Sequence, residues 1–267
     1  MFEILVNVEE MVDSSPVVQV GLALAGRHDA YVTGLHIVGV FPSSMYLPDI
    51  MTELVTEEYQ ARQCDAWWTE QRRKHGLRGA WEVIRGVYVS ALARRSCMAD
   101  ITVSRLSPSH PSHLVGMDDV TRVLFSAASP MLLVPPDWDG HFNPERILVA
   151  WNSTQESMRA LRAALPLLRE AGMVRLIDGA QDTLPGIAPP PLPVRDWLVR
   201  QGVSLQSIHP FPDASDVGEE LLSHAYAMHA DLLVMGAWGH SRIGELILGG
   251  TTRHVLEHAR LPLLLAH

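Results

Sequence analysis

The segment that decides the fold lies at the end of the sequence, where residues 231–267 read DLLVMGAWGHSRIGELILGGTTRHVLEHARLPLLLAH. Its first apolar run predicts a buried strand, which is followed by Gly236 and Gly239 as a turn. After a spacer, Gly249 and Gly250 open a helical pattern, and a second apolar run predicts a final strand. This order favours an α/β unit in which backbone amides can approach an anion.

Composition indicates an acidic globular protein. Of the 267 residues, 47% are hydrophobic and 19% are charged, so a sizeable core can form. The net charge of −9 repels nucleic acid and anionic lipid, and we expect neither as a partner. Cys64 and Cys97 lack metal-type spacing, and no apolar run is as long as a membrane span. Because a signal-peptide pattern is also lacking, the sequence predicts a cytoplasmic location.

One plan of apolar blocks is repeated in the two halves of the sequence. Three blocks recur in the same order: FEILVNVEE and RILVAWNST, ADITVS and ADLLVM, SPMLLVPP and LPLLLAH. Helical patterns alternate with these blocks, which predicts parallel strands covered by helices. We therefore expect two tandem α/β domains, residues 1–136 and 146–267, joined by a linker at 137–145. Each is predicted to be a doubly wound, mostly parallel, five-stranded sheet.

A phosphate site is predicted where strands of the second half end. If the strand ending at Gly236 neighbours the strand ending at Trp151, their carboxyl ends form the crevice in which α/β sheets bind ligands. Gly236 and Gly239 leave no Cβ to block a phosphate, and a helix that starts at Gly250 favours an anion through its first amides. The alternative is that these glycines serve only turns and a helix cap.

This combination resembles the universal stress protein family, whose motif G-x2-G-x9-G-(S/T) is matched by Gly236, Gly239 and Gly249. AWNSTQESMRALRAALPLL resembles the family's first strand and helix, and HVLEHARLPLLLAH its last helix and strand. The second half is similar along nearly its full length and the first half mainly in strand order, so the sequence resembles a tandem universal stress protein. The resemblance implies the adenine nucleotide alpha hydrolase-like fold, pairing through the last strands, and ATP binding in some members.

The resemblance also implies a nucleotide site in the second half, for ATP or a related adenine nucleotide, with or without Mg²⁺. The ribose is expected at Asn152 and the base beside Ile177. Phosphates are expected at the residues Gly236, Ala237, Gly239, Gly249, Gly250 and Thr251, mostly at their backbone amides. Gly250 stands where the family motif has Ser or Thr, and Asn152 where the family commonly has Asp.

The first half is predicted to lack this site. Gly116 is the only glycine after its fourth strand, and Asp118 and Asp119 lie near the following helix start. When the first strands of the two halves are aligned, Glu9 takes the place of Asn152. Carboxylates at these places would repel a phosphate.

The function implied is that of a stress-response regulatory protein, and we assign no catalytic residue and no metal ligand. Residues 254–258 read HVLEH, the H-x-x-E-H pattern of one class of zinc peptidases, but they are interpreted as part of the last helix. A slow ATPase and a ligand-free interaction scaffold are the alternatives. We expect the two halves to pair within the chain, and further partners to be a second copy and an unidentified protein.

Overall fold

The computed structural model describes residues 2–40, 48–106, 119–127, 129–139, 141–179, 192–210, 216–237 and 250–267. The chain divides into two compact units, Met1–Phe142 and Asn143–His267. This boundary falls inside the stretch predicted as a linker, residues 137–145.

The first unit alternates strands and helices. Its elements are β1 (Glu3–Asn7), α1 (Pro16–Arg27), β2 (Tyr31–Gly39), α2 (Pro48–Gln63), α3 (Asp65–Lys74), β3 (Arg78–Gly86), α4 (Tyr88–Ser96), β4 (Ile101–Arg105), α5 (Asp119–Ser126) and β5 (Met131–Val134). The strand order is β3-β2-β1-β4-β5, and neighbouring strands are parallel.

The second unit has the same plan. Its elements are β6 (Arg146–Trp151), α6 (Gln155–Glu170), β7 (Met173–Asp178), α7 (Val194–Arg200), β8 (Leu205–Pro210), α8 (Val217–Ala227), β9 (Leu232–Gly236), α9 (Gly250–His258) and β10 (Leu263–Ala266). The strand order is β8-β7-β6-β9-β10, again parallel throughout. The predicted α/β class with mostly parallel strands is confirmed.

The registers of the two sheets show which residues are equivalent. In the first unit Ile4 pairs with Ile101, and in the second Ile147 pairs with Leu232. Counting along these strands makes Arg105 of β4 the equivalent of Gly236 of β9. Pairing with the last strand of each unit gives the same equivalence, since Arg105 pairs with Val134 of β5 and Gly236 pairs with Ala266 of β10.

The inner strands β1, β4, β6 and β9 are mostly buried, as a parallel sheet between helix layers requires, whereas the outer strand β3 has no buried residue. All four residues of β5 and of β10 are buried. The helical insert of the first unit breaks at Cys64 into two helices, and the second of these, α3, carries the fully buried Trp68. A Cβ on Gly34 of β2 would lie 2.7 Å from the Trp68 ring, so this glycine lets the indole lie on the sheet. No helix in the described ranges is long and apolar enough to cross a membrane.

Candidate functional site

The predicted crevice lies in the second unit, where the strand order reverses. The chain runs from β6 outward through β7 to β8, then returns to the other side of β6 with β9 and β10. Ala150 pairs in register with Met235, so the next residues, Trp151 and Gly236, end side by side. These two strands are therefore neighbours, which is the condition on which the predicted crevice depends, and they form the switch point at which open α/β sheets bind ligands.

Gly236 lets a helix approach the end of β9. A Cβ on this residue would lie 2.4 Å from the Ser157 amide nitrogen and 2.7 Å from the Glu156 carbonyl carbon. Both atoms belong to backbone in the first turn of α6, which cannot move without moving the helix. Gly236 therefore has a packing reason to be glycine, and it brings the amino end of α6 to the crevice.

Asn152 shapes the turn between β6 and α6. Its Oδ1 accepts hydrogen bonds from Thr154 Oγ1 at 2.8 Å and from the Thr154 amide at 3.4 Å. Ser153 has a φ of 59°, and Thr154 caps α6 by accepting from the Ser157 amide at 3.2 Å. A ribose hydroxyl that donates to Asn152 Oδ1 would compete with Thr154 for this oxygen.

Ala237 continues the sheet edge beyond β9. Its side chain is fully buried, and its amide donates to the Ala266 carbonyl at 2.8 Å. Its carbonyl lies 3.3 Å from Nδ1 of His267. A phosphate bound at the Ala237 amide would require the hydrogen bond to Ala266 to be given up.

The amino end of α9 starts at Gly250, where a Cβ would meet no atom within 4 Å. Thr251 is half-buried and Thr252 is buried. The helix ends at His258, shortly before β10 begins, so its amino end points back towards the carboxyl edge of the parallel sheet. The first four amides of a helix have no intrahelical acceptor, which suits them to an anion. Gly239 and Gly249 lie outside the described residues, as do Gly116 and Asp118 of the first unit.

The end of β7 forms the opposite border of the crevice. The Ile177 side chain is 1% exposed and lies in the core, whereas the next residue, Asp178, is half-buried and pairs in register with Trp151. Burial raises the pKa of the Asp178 carboxyl. The Gly179 amide donates to the Trp151 carbonyl at 2.6 Å, and a Cβ on Gly179 would lie 3.6 Å from Asn152 Cβ. Sequence reasoning missed Asp178 and Gly179, although a polar Asp-Gly pair directly after the apolar run of β7 marks them.

In the first unit the corresponding edge is occupied by the chain's own polar side chains. Asn7 Nδ2 donates to Tyr88 Oη at 2.7 Å and to Ser104 Oγ at 3.0 Å. Tyr88 Oη in turn donates to Glu9 Oε1 at 3.0 Å. A cavity of about 60 Å³ remains beside Glu9 and Arg105, enough for water but far smaller than a nucleotide site.

Comparisons with known proteins agree with this architecture. The sequence model of the universal stress protein family matches residues 212–267. A universal stress protein from Archaeoglobus fulgidus DSM 4304 has a similar structure, with a TM-score of 0.75 and 18% identity, covering 99% of this chain and 97% of its own. A functionally unknown protein from Pseudomonas aeruginosa PAO1 also has a similar structure, with a TM-score of 0.63 and 15% identity. The match covers 99% of this chain and 92% of the Pseudomonas chain.

At sequence identities of 18% and 15%, these two structural matches show a common fold and nothing beyond it. A universal stress protein solved in complex with cAMP matches 51% of this chain and 98% of its own, with a TM-score of 0.34 and 18% identity. No curated protein matches the sequence. The family model thus matches residues 212–267, and the chain as a whole shares the fold of the Archaeoglobus fulgidus universal stress protein.

Proposed function

We propose that the second unit binds ATP or a related adenine nucleotide, and that the protein acts as a stress-response regulator that responds to this ligand. The observation that carries the proposal is the adjacency of β6 and β9, which places Trp151 and Gly236 side by side at the switch point. Two helix amino ends, those of α6 and α9, lie on the same edge of the sheet. Amides and helix dipoles of this kind favour a phosphate without any lysine or arginine in contact.

Within this crevice each part of the nucleotide has a proposed position. The phosphates lie at the first amides of α9, those of Gly250 and Thr251, and at Gly239 and Gly249. The ribose lies at the turn that holds Asn152, where it competes with Thr154 for Oδ1. The base lies against the end of β7, beside Asp178 rather than against the buried Ile177 side chain. Mg²⁺ would be held by phosphate oxygens and water, as is usual for this ion.

Calorimetric titration of the full chain with ATP tests the proposal. We expect saturable binding to one site per chain, lost when Gly249 is replaced by Leu, because the side chain would fill the space of a phosphate. Gly26→Ala is the matched control, since Gly26 is exposed in α1 of the other unit and a Cβ there meets no atom within 4 Å. Mass spectrometry of the purified protein should find a co-purifying adenine nucleotide.

Two outcomes would replace this function with another. Phosphate release above a buffer blank, abolished by Gly249→Leu, would indicate a slow ATPase. A melting temperature that ATP does not change, together with no heat of binding, would indicate the ligand-free scaffold. The engaged Ala237 amide and Asn152 Oδ1 are the observations that favour the scaffold.

A further inference from the structure

The outer strand of the first unit leaves one edge of its sheet open. Among the described strands, β3 pairs with β2 alone, and it is nine residues long. None of its residues is buried, whereas four of the five residues of β1 and of β4 are buried. An open edge of this length presents a row of backbone donors and acceptors to any strand that approaches it.

One hydrogen bond shows which backbone groups of β3 point outward. The Val40 amide donates to the Gly86 carbonyl at 2.9 Å, so the backbone groups of Gly86 point towards β2. The register between the two strands is uninterrupted, and backbone groups alternate in direction along a strand. Those of Trp81, Val83 and Arg85 therefore point away from the sheet. No described residue outside β3 forms a backbone hydrogen bond with these three.

Proline, lysine and a bulge protect many edge strands, and β3 has none of them. The outer strand of the second unit, β8, is shorter, ends in proline and has a register shift against β7. The central charges of β3 are neutralised within the unit, since Arg95 donates to Glu82 at 2.7 Å and Arg85 forms an ion pair with Glu58. Charge repulsion therefore does not keep a second strand away from this edge.

Exposed apolar side chains of α2 lie beside the same edge. Val55 is 52% exposed and Tyr59 is 65% exposed, and they are one helical turn apart. Glu57, on one flank of α2, contacts β2, whereas Glu58, on the other flank, contacts β3. At about 3.6 residues per turn, Val55 and Tyr59 lie beyond Glu58 on this second flank. The two side chains are therefore on the side of the helix that borders the open edge.

The sequence of β3 is complementary to itself when two copies run antiparallel about a twofold axis through Val83. Each outward residue then exchanges both of its backbone hydrogen bonds with the residue opposite. Trp81 lies opposite Arg85 of the second copy, and an arginine beside an indole is a favourable cation–π pair. The axis repeats this pair on the other side of Val83. An axis through Glu82 would instead set two carboxylates opposite each other, which is unfavourable.

We propose that β3 is an interface between two copies of this chain, which pair antiparallel about Val83 with the exposed flanks of their α2 helices side by side. In the strand order of the first unit, β3 is at the opposite end from β5, so this interface differs from the pairing through last strands that the family resemblance implies. It involves no residue of the nucleotide crevice and does not depend on the proposed function.

Sedimentation of the full chain over a range of concentrations, together with amide hydrogen exchange, tests the proposal. We expect reversible association to twice the mass of one chain. Exchange should slow with rising concentration at the outward amides of Trp81, Val83 and Arg85, but not at Glu82 and Ile84, whose amides already bond to β2. A chain that stays monomeric, with its edge open to a peptide of another protein, would overturn the proposal. A dimer in which the three outward amides keep one exchange rate would overturn it as well.

Val83→Pro is the sharpest variant. It removes an N–H that points away from the sheet, so the hydrogen bonds between β3 and β2 remain. In the dimer it removes a symmetry-related pair of hydrogen bonds, and we expect the dissociation constant to rise by at least about tenfold. Circular dichroism checks that the variant is folded.

Val55→Lys leaves β3 intact and tests the α2 flank, which keeps the proposal testable if the proline variant does not fold. We expect its dissociation constant to rise roughly fivefold or more, because an apolar contact is lost from both copies. Val199→Lys is the matched control, since Val199 is a 62% exposed valine on α7 of the other unit, and it should associate as the wild type does. Wild-type association in Val55→Lys, or in a folded Val83→Pro, would overturn the proposal.

Discussion

The two units share their strand order, but the equivalent residues at the carboxyl edge differ, and the clearest case is Arg105 in the first unit and Gly236 in the second. In the second unit the glycine leaves room for the first turn of α6, and the connection before this helix is short, residues 152–154. In the first unit the connection is longer, residues 8–15, and Arg105 Nη1 reaches Glu10 Oε1 at 3.1 Å. The fold is thus set by apolar strands common to both units, while the edge residues decide what each crevice can hold.

The same contrast holds on the other side of the first strand of each unit. By register, His36 of β2 is the equivalent of Asp178 of β7. His36 is buried and its Nδ1 lies 2.8 Å from the Val8 carbonyl, so the first unit uses this position for an internal hydrogen bond. In the second unit Asp178 stays half-buried at the crevice. The first unit therefore uses this position for an internal hydrogen bond, whereas the second unit has a half-buried carboxyl group there.

The contrast between the two units can be tested most directly at Gly236. We expect Gly236→Ala to destabilise the protein by roughly 1–3 kcal/mol, because the added Cβ forces the backbone of α6 away from β9. Nucleotide binding should be lost in the same variant, since Asn152 precedes the displaced helix. Chemical denaturation and ATP titration measure the two effects.

Gly250→Ala is the control for stability, because a Cβ added at Gly250 meets no atom within 4 Å. This variant should change the unfolding free energy by less than about 0.5 kcal/mol. Wild-type unfolding in Gly236→Ala would contradict the packing role.

Tyr88 tests the opposite claim, that the first unit uses its edge for stability. Tyr88→Phe removes the hydroxyl that bonds both Asn7 and Glu9, so we expect a loss of about 1–2 kcal/mol in the free energy of unfolding. ATP binding by the second unit should not change. The control is Tyr59→Phe, since the Tyr59 side chain is 65% exposed, and its unfolding should match the wild type. A loss of ATP affinity in Tyr88→Phe would mean that the first unit takes part in binding.

Much of this architecture could be predicted from sequence, because apolar runs and glycine turns are local signals. The alternating apolar runs and helical patterns predicted the five-strand plan of each unit, which the structure confirms, whereas the adjacency of β6 and β9 was only a condition that the structure now meets. The contact that requires glycine at position 236 could not be predicted, because the sequence does not show which neighbouring atoms occupy the space where a side chain would be. The bond from Thr154 to Asn152 and the equivalence of Arg105 with Gly236 also depend on register and rotamer, which no motif records.

A variant of Asn152 tests the proposed ribose position, because it should bind ATP more tightly than the wild type does. Asn152→Asp offers a ribose hydroxyl a charged acceptor while still accepting from Thr154, so we expect ATP affinity to rise about fivefold, or about 1 kcal/mol. The control is Gln155→Glu, which adds the same charge at an exposed position three residues later and should weaken ATP binding or leave it unchanged. Calorimetry of both variants separates a hydrogen bond from a general effect of charge. Equal or weaker binding in Asn152→Asp would remove the ribose from this residue.

Asp178 gives the smallest expected effect, because the half-exposed carboxyl is partly screened by solvent. Burial raises its folded-state pKa above the ordinary value of 3.8, so the folded protein binds this proton more tightly than the unfolded chain does. Stability is therefore lost as pH rises from 3.8 through the raised pKa, and Asp178→Asn should remove the loss. We expect the variant to melt above the wild type at pH 7, with a difference in melting temperature that shrinks towards zero as pH is lowered to 3.8.

Calorimetric melting at several pH values measures this difference. Asp137→Asn, in an exposed loop, is the control and should melt as the wild type does at each pH. A variant that melts below the wild type at pH 7 would mean that the ionised carboxylate stabilises the edge of β7, as His36 does in the first unit.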